Sequence, residues 1–266
     1  MRIVEMPPTQ VPKYALTLLA CLAPRTFAQS PISIEQLLAK AATWQVSSSV
    51  DYRASMPTPL QLERQTSVST GLRYGLNSRF EINARLESLQ FSQSIAGQRL
   101  RERQQSLSLG SNWLIKRESF LPAVLLETRA VLASNGSFGP RDLPSAQIAV
   151  TSYKSIDPVV LSLTVAMNIQ RSYRDESAVV KPGVSWRIEP NVNFAVNPSV
   201  TLFGGAAMER RNASRIGEST VMPAMERVAL RGGMALSLAQ RHSIFVSGDL
   251  GSDRSGGMSV QWFYEF

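Results

Sequence analysis

Cysteine and histidine are nearly missing from this chain: of its 266 residues one is Cys and one is His. The cysteine, Cys21, sits in the first thirty residues, inside an apolar stretch that reads as a leader. With the leader removed no thiol is left, which excludes disulfide bonds and thiol catalysis. The lone histidine, His242, leaves few ways to build a neutral-pH base or a zinc site, and no Asp-rich calcium loop accompanies it. No metal and no cofactor are expected. Long apolar runs are missing too. Beyond the leader nothing approaches the roughly 20 residues that a membrane-crossing helix needs. A helical membrane protein is thereby excluded, but a membrane β-barrel is not. Its strands alternate apolar and polar residues and keep the average near zero. The mean hydropathy here is −0.06.

The leader has the layout of a secretory signal peptide. Arg2 and Lys13 supply the positive start, Tyr14–Ala23 the apolar core, and Thr26-Phe-Ala28 the small residues read at cleavage, so residues 1–28 are expected to be removed after Ala28. Leu18-Leu-Ala-Cys21 faintly resembles a lipoprotein box, a second possible use of Cys21. Export points to an envelope protein.

Positive charge exceeds negative by eight, and the leader carries Arg2, Lys13 and Arg25 against Glu5, which leaves +6 on the mature chain. Those arginines are scattered along strands and loops rather than gathered on one helix. No zinc-finger, helix-turn-helix or RNA-binding signature goes with them, so nucleic acid is not an expected partner. Gly204-Gly205 and Gly232-Gly233 lie in strands without a following helix. They fit close packing or curvature of a wall, not a phosphate loop.

One helix is expected. Pro31–Thr43 has Ser33 to cap it, Gln36 three residues on, and Ile34, Leu37, Leu38 and Ala41 at helical spacing. Residues 29–43 therefore form a short N-terminal element, either periplasmic or plugging a pore.

From Trp44 onward the period changes to two. Trp44, Val46, Val50 and Tyr52 alternate with Gln45, Ser47, Asp51 and Arg53. Similar segments centre on residues 67–76, 80–87, 107–113, 124–132, 148–150, 161–169, 184–194, 200–208, 228–238, 244–250 and 258–266. That makes about twelve strands. The connections alternate. Ala54–Arg64, Gln90–Glu102, Ala133–Pro144, Arg171–Pro182, Arg210–Ala224 and Gly251–Ser255 are long or polar; the turns at Gly75–Ser78, Lys116–Ser119, Lys154–Pro158, Asn197-Pro198 and Ala239–His242 are short. Short periplasmic turns against long outer loops are the habit of outer-membrane barrels. The expected fold is all-β, an antiparallel transmembrane barrel of about twelve strands over residues 44–266. A soluble sandwich also alternates, but its buried face would not so often carry arginine.

The last strand adds to this. Met258, Val260, Trp262, Tyr264 and Phe266 occupy every second position to the final residue. This resembles the C-terminal signature of bacterial outer-membrane proteins, which implies outer-membrane lipid and lipopolysaccharide as surroundings and the barrel-assembly machinery as a partner. Leu72–Ala84 and Phe194–Gly205 resemble hairpins of the meta-pathway phenol-degradation-like outer-membrane proteins, a group similar to the exporter of functional-amyloid (Fap) subunits. The resemblance implies a transporter-type barrel in which an N-terminal helix can enter the pore. The amyloid exporter's long coiled-coil extension has no counterpart here.

Inward-pointing charges are the remaining candidates for function. Arg53, Arg73, Arg85, Arg129, Arg187 and Arg231 fall on the polar face, with Asp51, Glu81, Glu87, Glu127, Glu189 and Asp249. Such rows either pair to hold the wall or set the ion preference of a pore. Barrel hydrolases depend on a histidine near the outer leaflet, and His242 falls in a short turn at the opposite end. The expectation is a pore or transporter for small solutes or a secreted polypeptide, gated by the N-terminal element. The alternative is a structural or adhesive barrel with a closed lumen; an enzyme is not expected.

Overall fold

The computed structural model describes residues 38–266 apart from 59–60, 96–97, 137–144, 171, 176–177, 217–218 and 240. The strands are Trp44–Thr58 (β1), Gln61–Asn77 (β2), Phe80–Ile95 (β3), Gln98–Lys116 (β4), Ala123–Gly136 (β5), Ser145–Ile156 (β6), Val159–Gln170 (β7), Tyr173–Asp175 (β8), Ala178–Lys181 (β9), Ser185–Asn197 (β10), Val200–Arg211 (β11), Ser214–Ile216 (β12), Ser219–Met222 (β13), Met225–Ala239 (β14), His242–Gly251 (β15) and Ser255–Glu265 (β16). Twelve of them close into one antiparallel barrel in which β16 returns to β1, with Val50 opposite Val260 and Val46 opposite Tyr264. Closure leaves no strand edge unpaired, which is what lets a sheet stand in an apolar medium. Trp44 and Phe266 seal the seam by donating a backbone N–H to each other's carbonyl, at 3.3 and 3.0 Å.

Alternation is read out inside-out. Val50, Val68, Leu86, Leu109, Leu163, Ile188, Leu230 and Val260 face outward and are exposed, whereas Ser49, Ser67, Ser69, Thr151, Glu189 and Thr201 are buried on the inner face. An apolar outer belt of this extent is costly in water and stable against lipid tails. At the end that carries the short turns, which we call proximal, aromatic rings gather on the outside. Trp44 lies 4.6 Å from Tyr74, and Tyr264 lies 6.1 and 5.9 Å from Trp262 and Phe266. The five alternating positions from Met258 to Phe266 thus all belong to the outer face, two of them in this girdle with Phe266.

Three expectations need correction. The connections Ala54–Arg64 and Gln90–Glu102 are mostly strand: Ser55 still pairs with Glu63, and Gln93 with Leu100. β4 reaches 19 residues, about twice what a tilted strand needs to cross a bilayer. Beyond the apolar belt these hairpins mix polar residues with scattered apolar ones such as Met56, Phe91 and Leu100, so the regular alternation that marks a strand in the sequence disappears while backbone pairing continues. Second, Arg171–Pro182 and Arg210–Ala224 are not plain loops. They carry β8, β9, β12 and β13, which join as a separate four-stranded sheet at the distal end. Third, the expected helix is not present in the part of it that is described. Residues 38–43 form a bend, a single bridge and a turn. The first part of that expected helix, residues 31–37, and the expected signal peptide with Cys21 lie outside the described residues.

Candidate functional site: a charged lumen with a seated N-terminal segment

Inward side chains of β1–β3 and β14–β16 carry most of the charged pairs in the lumen. The period of two sets which residues face in; the register sets who meets whom. Glu81 at the start of β3 stands opposite Gly75 and Asn112, and Arg73 stands opposite Gln45. The result is a carboxylate with no exposed surface at all. Arg73 donates to it from Nε (2.7 Å) and Nη2 (2.8 Å), and Asn112 Nδ2 donates at 2.7 Å. The remaining acceptor position takes the backbone N–H of Ala39 at 2.5 Å. Burying a charge is tolerable only when it is paired and hydrogen-bonded in this way.

That last bond draws the N-terminal segment into the proximal mouth. Leu38 packs on Leu114, Ala123, Leu125 and Tyr153, the apolar cluster of the inner wall. Ala41 bridges to Gly75; Ala42 donates to the Gly75 carbonyl (2.7 Å), and Gly75 donates back to Thr43 (3.1 Å). Ala42 has a φ of 58°, the sharp turn that leads out to β1. Gly75 is required here, since a Cβ at that position would fall 2.2 Å from the carbonyl oxygen of Lys40. Lys40 ties the rim to Glu265 at 2.6 Å.

At mid-height Asp51 accepts hydroxyls from Ser49, Ser67 and Ser259, and Arg85 donates to Ser69 (2.7 Å) and Ser49 (3.4 Å). On the opposite wall Arg187 and Arg231 both approach Glu189, at 3.5 and 3.4 Å. Distally, Asp249 takes Arg53 at 3.4 Å and Arg227 at 2.9 Å. Arg227 also reaches Asp253 at 3.2 Å and the Ser255 hydroxyl at 2.9 Å. Asp253 lies in the β15–β16 turn. Burial pushes its carboxyl up, but the Ser255 hydroxyl and the Arg227 guanidinium outweigh that and hold it below the usual range.

The structure therefore joins Arg53, Arg73, Glu81, Arg187, Glu189, Arg231 and Asp249 into pairs. Among the described residues Glu87, Glu127 and Arg129 face inward without a salt bridge or hydrogen bond. Arg227 and Asp253 are missing from the sequence-based set. Arg227 has the same parity as Arg231 and was findable by extending the alternation two residues beyond Ala229. Asp253 is in a turn and carries no periodic signal. Gly205 and Gly233 make room for Asn191 and the Phe203 ring, as close packing of the wall requires.

Among the described residues the lumen holds a proximal and a distal cavity. The proximal one, of about 370 Å³, is bordered by Arg73, Arg85, Arg129 and Asn112; the distal one, of about 410 Å³, by Asp51, Arg53, Arg231 and Asp249. Gln261 borders both. His242 stands apart, on the outer surface, its ring 4.8 Å from Tyr264 and 5.9 Å from Trp262.

The whole barrel can be superposed on an outer-membrane channel from Pseudomonas putida F1, with a TM-score of 0.66 and 10% identity over 85% of this chain and 96% of that one. The fold is that of the outer-membrane β-barrels. The translocator domain of the autotransporter NalP from Neisseria meningitidis is similar as well (TM-score 0.58, 9% identity, 85% of this chain and 89% of that one). So is the KdgM porin in complex with oligogalacturonate (TM-score 0.51, 13% identity, 82% and 99%). No family model matches the chain, and no curated protein matches it.

Proposed function

We propose that this protein is an outer-membrane pore for small polar solutes, held shut at its periplasmic mouth by residues 38–43. The observation that carries the reading is the Ala39–Glu81 contact. A wet, charged lumen with cavities of about 370 and 410 Å³ is stoppered at one end by a segment seated on a buried carboxylate. Cavities of that size suit small ligands, not a folded or bulky polypeptide. Their borders of arginine, carboxylate and amide favour polar solutes over hydrocarbons. The superposable channel and porin support a conducting role, and the resemblance of residues 72–84 and 194–205 to the phenol-degradation-like group is consistent with solute passage. On this reading the short turns face the periplasm, outer-membrane lipid and lipopolysaccharide surround the belt, and the barrel-assembly machinery recognises β16.

The test is single-channel recording in planar bilayers. The full chain is expected to conduct rarely. A chain lacking residues 29–43, or carrying Gly75→Val to push the segment off its seat, is expected to conduct at several-fold higher open probability. A barrel that folds but conducts in none of these forms would instead be a structural or adhesive barrel with a closed lumen.

A further inference from the structure

Two of the three arginines that border the proximal cavity stand out by what they do not bind. Arg53, Arg73, Arg187, Arg227 and Arg231 each lie within 3.5 Å of a carboxylate. Among the described residues the Arg85 side chain has only hydroxyl partners, Ser49 and Ser69, both served by Nη2. Arg129 makes no hydrogen bond or salt bridge among the described residues. Both border the proximal cavity. They project from β3 and β5, the strands flanking β4, which sets Ser108 opposite Arg85 and Gly110 opposite Arg129. The β4 residue facing Arg129 thus has no side chain, and the one facing Arg85 is small. Carboxylates were within chain reach on the same walls, Glu87 two residues beyond Arg85 and Glu127 two residues before Arg129. Among the described residues the register brings neither of them within salt-bridge distance of Arg85 or Arg129. A guanidinium is charged at any working pH, and its planar fork matches a carboxylate with two parallel hydrogen bonds. Two like charges on flanking strands repel each other until an anion arrives between them.

We infer that Arg85 and Arg129 form a lumenal subsite for a small polyhydroxylated monocarboxylate, a deepening that rests on reading the lumen as a solute path. The carboxylate sits between the two guanidinia. The amides of Asn83, Gln147 and Gln261, which border the same cavity, take the hydroxyls. Glu127, on the same cavity border, accepts a hydroxyl and repels a second carboxylate. The ligand class is thus set by charge at one end and by hydrogen bonding along the rest, at a volume of about 370 Å³.

The test is calorimetric titration of the full, detergent-solubilised chain at low salt, with sodium gluconate as probe and glucose as its neutral counterpart. Saturable gluconate binding is expected, with glucose at least tenfold weaker. The Arg85→Gln/Arg129→Gln double variant should lose at least tenfold in gluconate affinity, and Arg129→Lys should fall between. Heat-modifiable migration on gels shows in each case that the barrel has folded. Should the double variant misfold, Arg129→Lys and the glucose comparison still decide. Equal affinity for gluconate and glucose, unaltered affinity in the variants, or no gluconate binding would overturn the subsite. Conductance of the same preparation separates the two readings. A conducting barrel that ignores gluconate removes the subsite and leaves the pore. A barrel that binds gluconate but never conducts removes the pore and leaves the site as a receptor.

Discussion

Glu81 shows how much depends on register at the level of single residues. Its carboxylate is fully buried and takes four donors, two of them from Arg73. A charge in that position is held by its partners and not by solvent. Arg73→Ala leaves it buried with Asn112 and one backbone N–H, and breaking a buried pair from one side costs about 3–5 kcal/mol. Urea unfolding in detergent micelles, followed by gel mobility, is expected to show a loss of that order, while Arg53→Ala, whose partner Asp249 keeps Arg227, should cost far less. Equal losses in the two variants would deny the Arg73–Glu81 pair its special place. Arg73 and Glu81 were both visible as polar-face residues of neighbouring strands. Their partnership was not, because it runs diagonally across the β2–β3 hairpin and depends on the register shift between Gly75 and Asn77.

At the scale of elements, turns and strand ends join separate hairpins. Glu118, in the turn after β4, accepts from the Ser155 backbone N–H (2.9 Å) and hydroxyl (2.8 Å) and lies 3.4 Å from Lys154 at the end of β6. Burial pushes its carboxyl up, but the Ser155 donors and Lys154 outweigh that and hold it below its ordinary 4.5. The sign follows from the folded value lying below the unfolded one. The link stabilises the folded turn above the ordinary value and is lost as pH falls through the lowered one. The protection factor of the Ser155 amide, the slowing of its hydrogen exchange relative to an unstructured amide at the same pH, is therefore expected to fall on acidification below about pH 4.5 in the natural protein. In Glu118→Gln it should be lower at neutral pH and lack that acid step; an acid step that persists in the variant would assign it elsewhere. The N-terminal segment belongs to this scale too. Its helical spacing of apolar residues was real in the sequence, yet residues 38–43 are drawn out by Gly75 and Glu81 into a bridge and a turn. A helix of about three turns has little stability of its own, so tertiary contacts decide its form.

For the whole molecule, the question is what the apolar belt faces. Val260 on β16 lies between Val50 and Val246 in the middle of the belt and is exposed. If lipid covers it, Val260→Arg costs about 2–4 kcal/mol, as cationic side chains do near the bilayer midplane. Reversible urea unfolding in phosphatidylcholine vesicles measures this, and a loss under about 1 kcal/mol would show that Val260 does not face lipid. The same closure that fixes the belt carries β16 back to β1 and sets lumenal groups of the first strand beside those of the last two, as in Asp51 with Ser259 and Arg53 with Asp249.

Alternation is a local property of an extended backbone: each side chain points opposite to its neighbour wherever the strand ends up. For that reason the twelve strands, their apolar and polar faces, the short proximal turns and the inward position of Arg53, Arg73, Glu81, Arg85 and Arg129 were all legible in the order of the amino acids alone. Pairing is not local. Which guanidinium meets which carboxylate depends on register between strands far apart in the chain, and Arg227 with Asp249 and Asp253, or Glu81 with Ala39, follow only once the barrel closes. The paired distal strands and the four-stranded cap were hidden for a related reason. Outside the belt no apolar face has to be presented to lipid, and the strands are held by backbone pairing with polar side-chain contacts such as those of Ser55 and Gln93 to Glu63, which leave no periodic trace in the sequence.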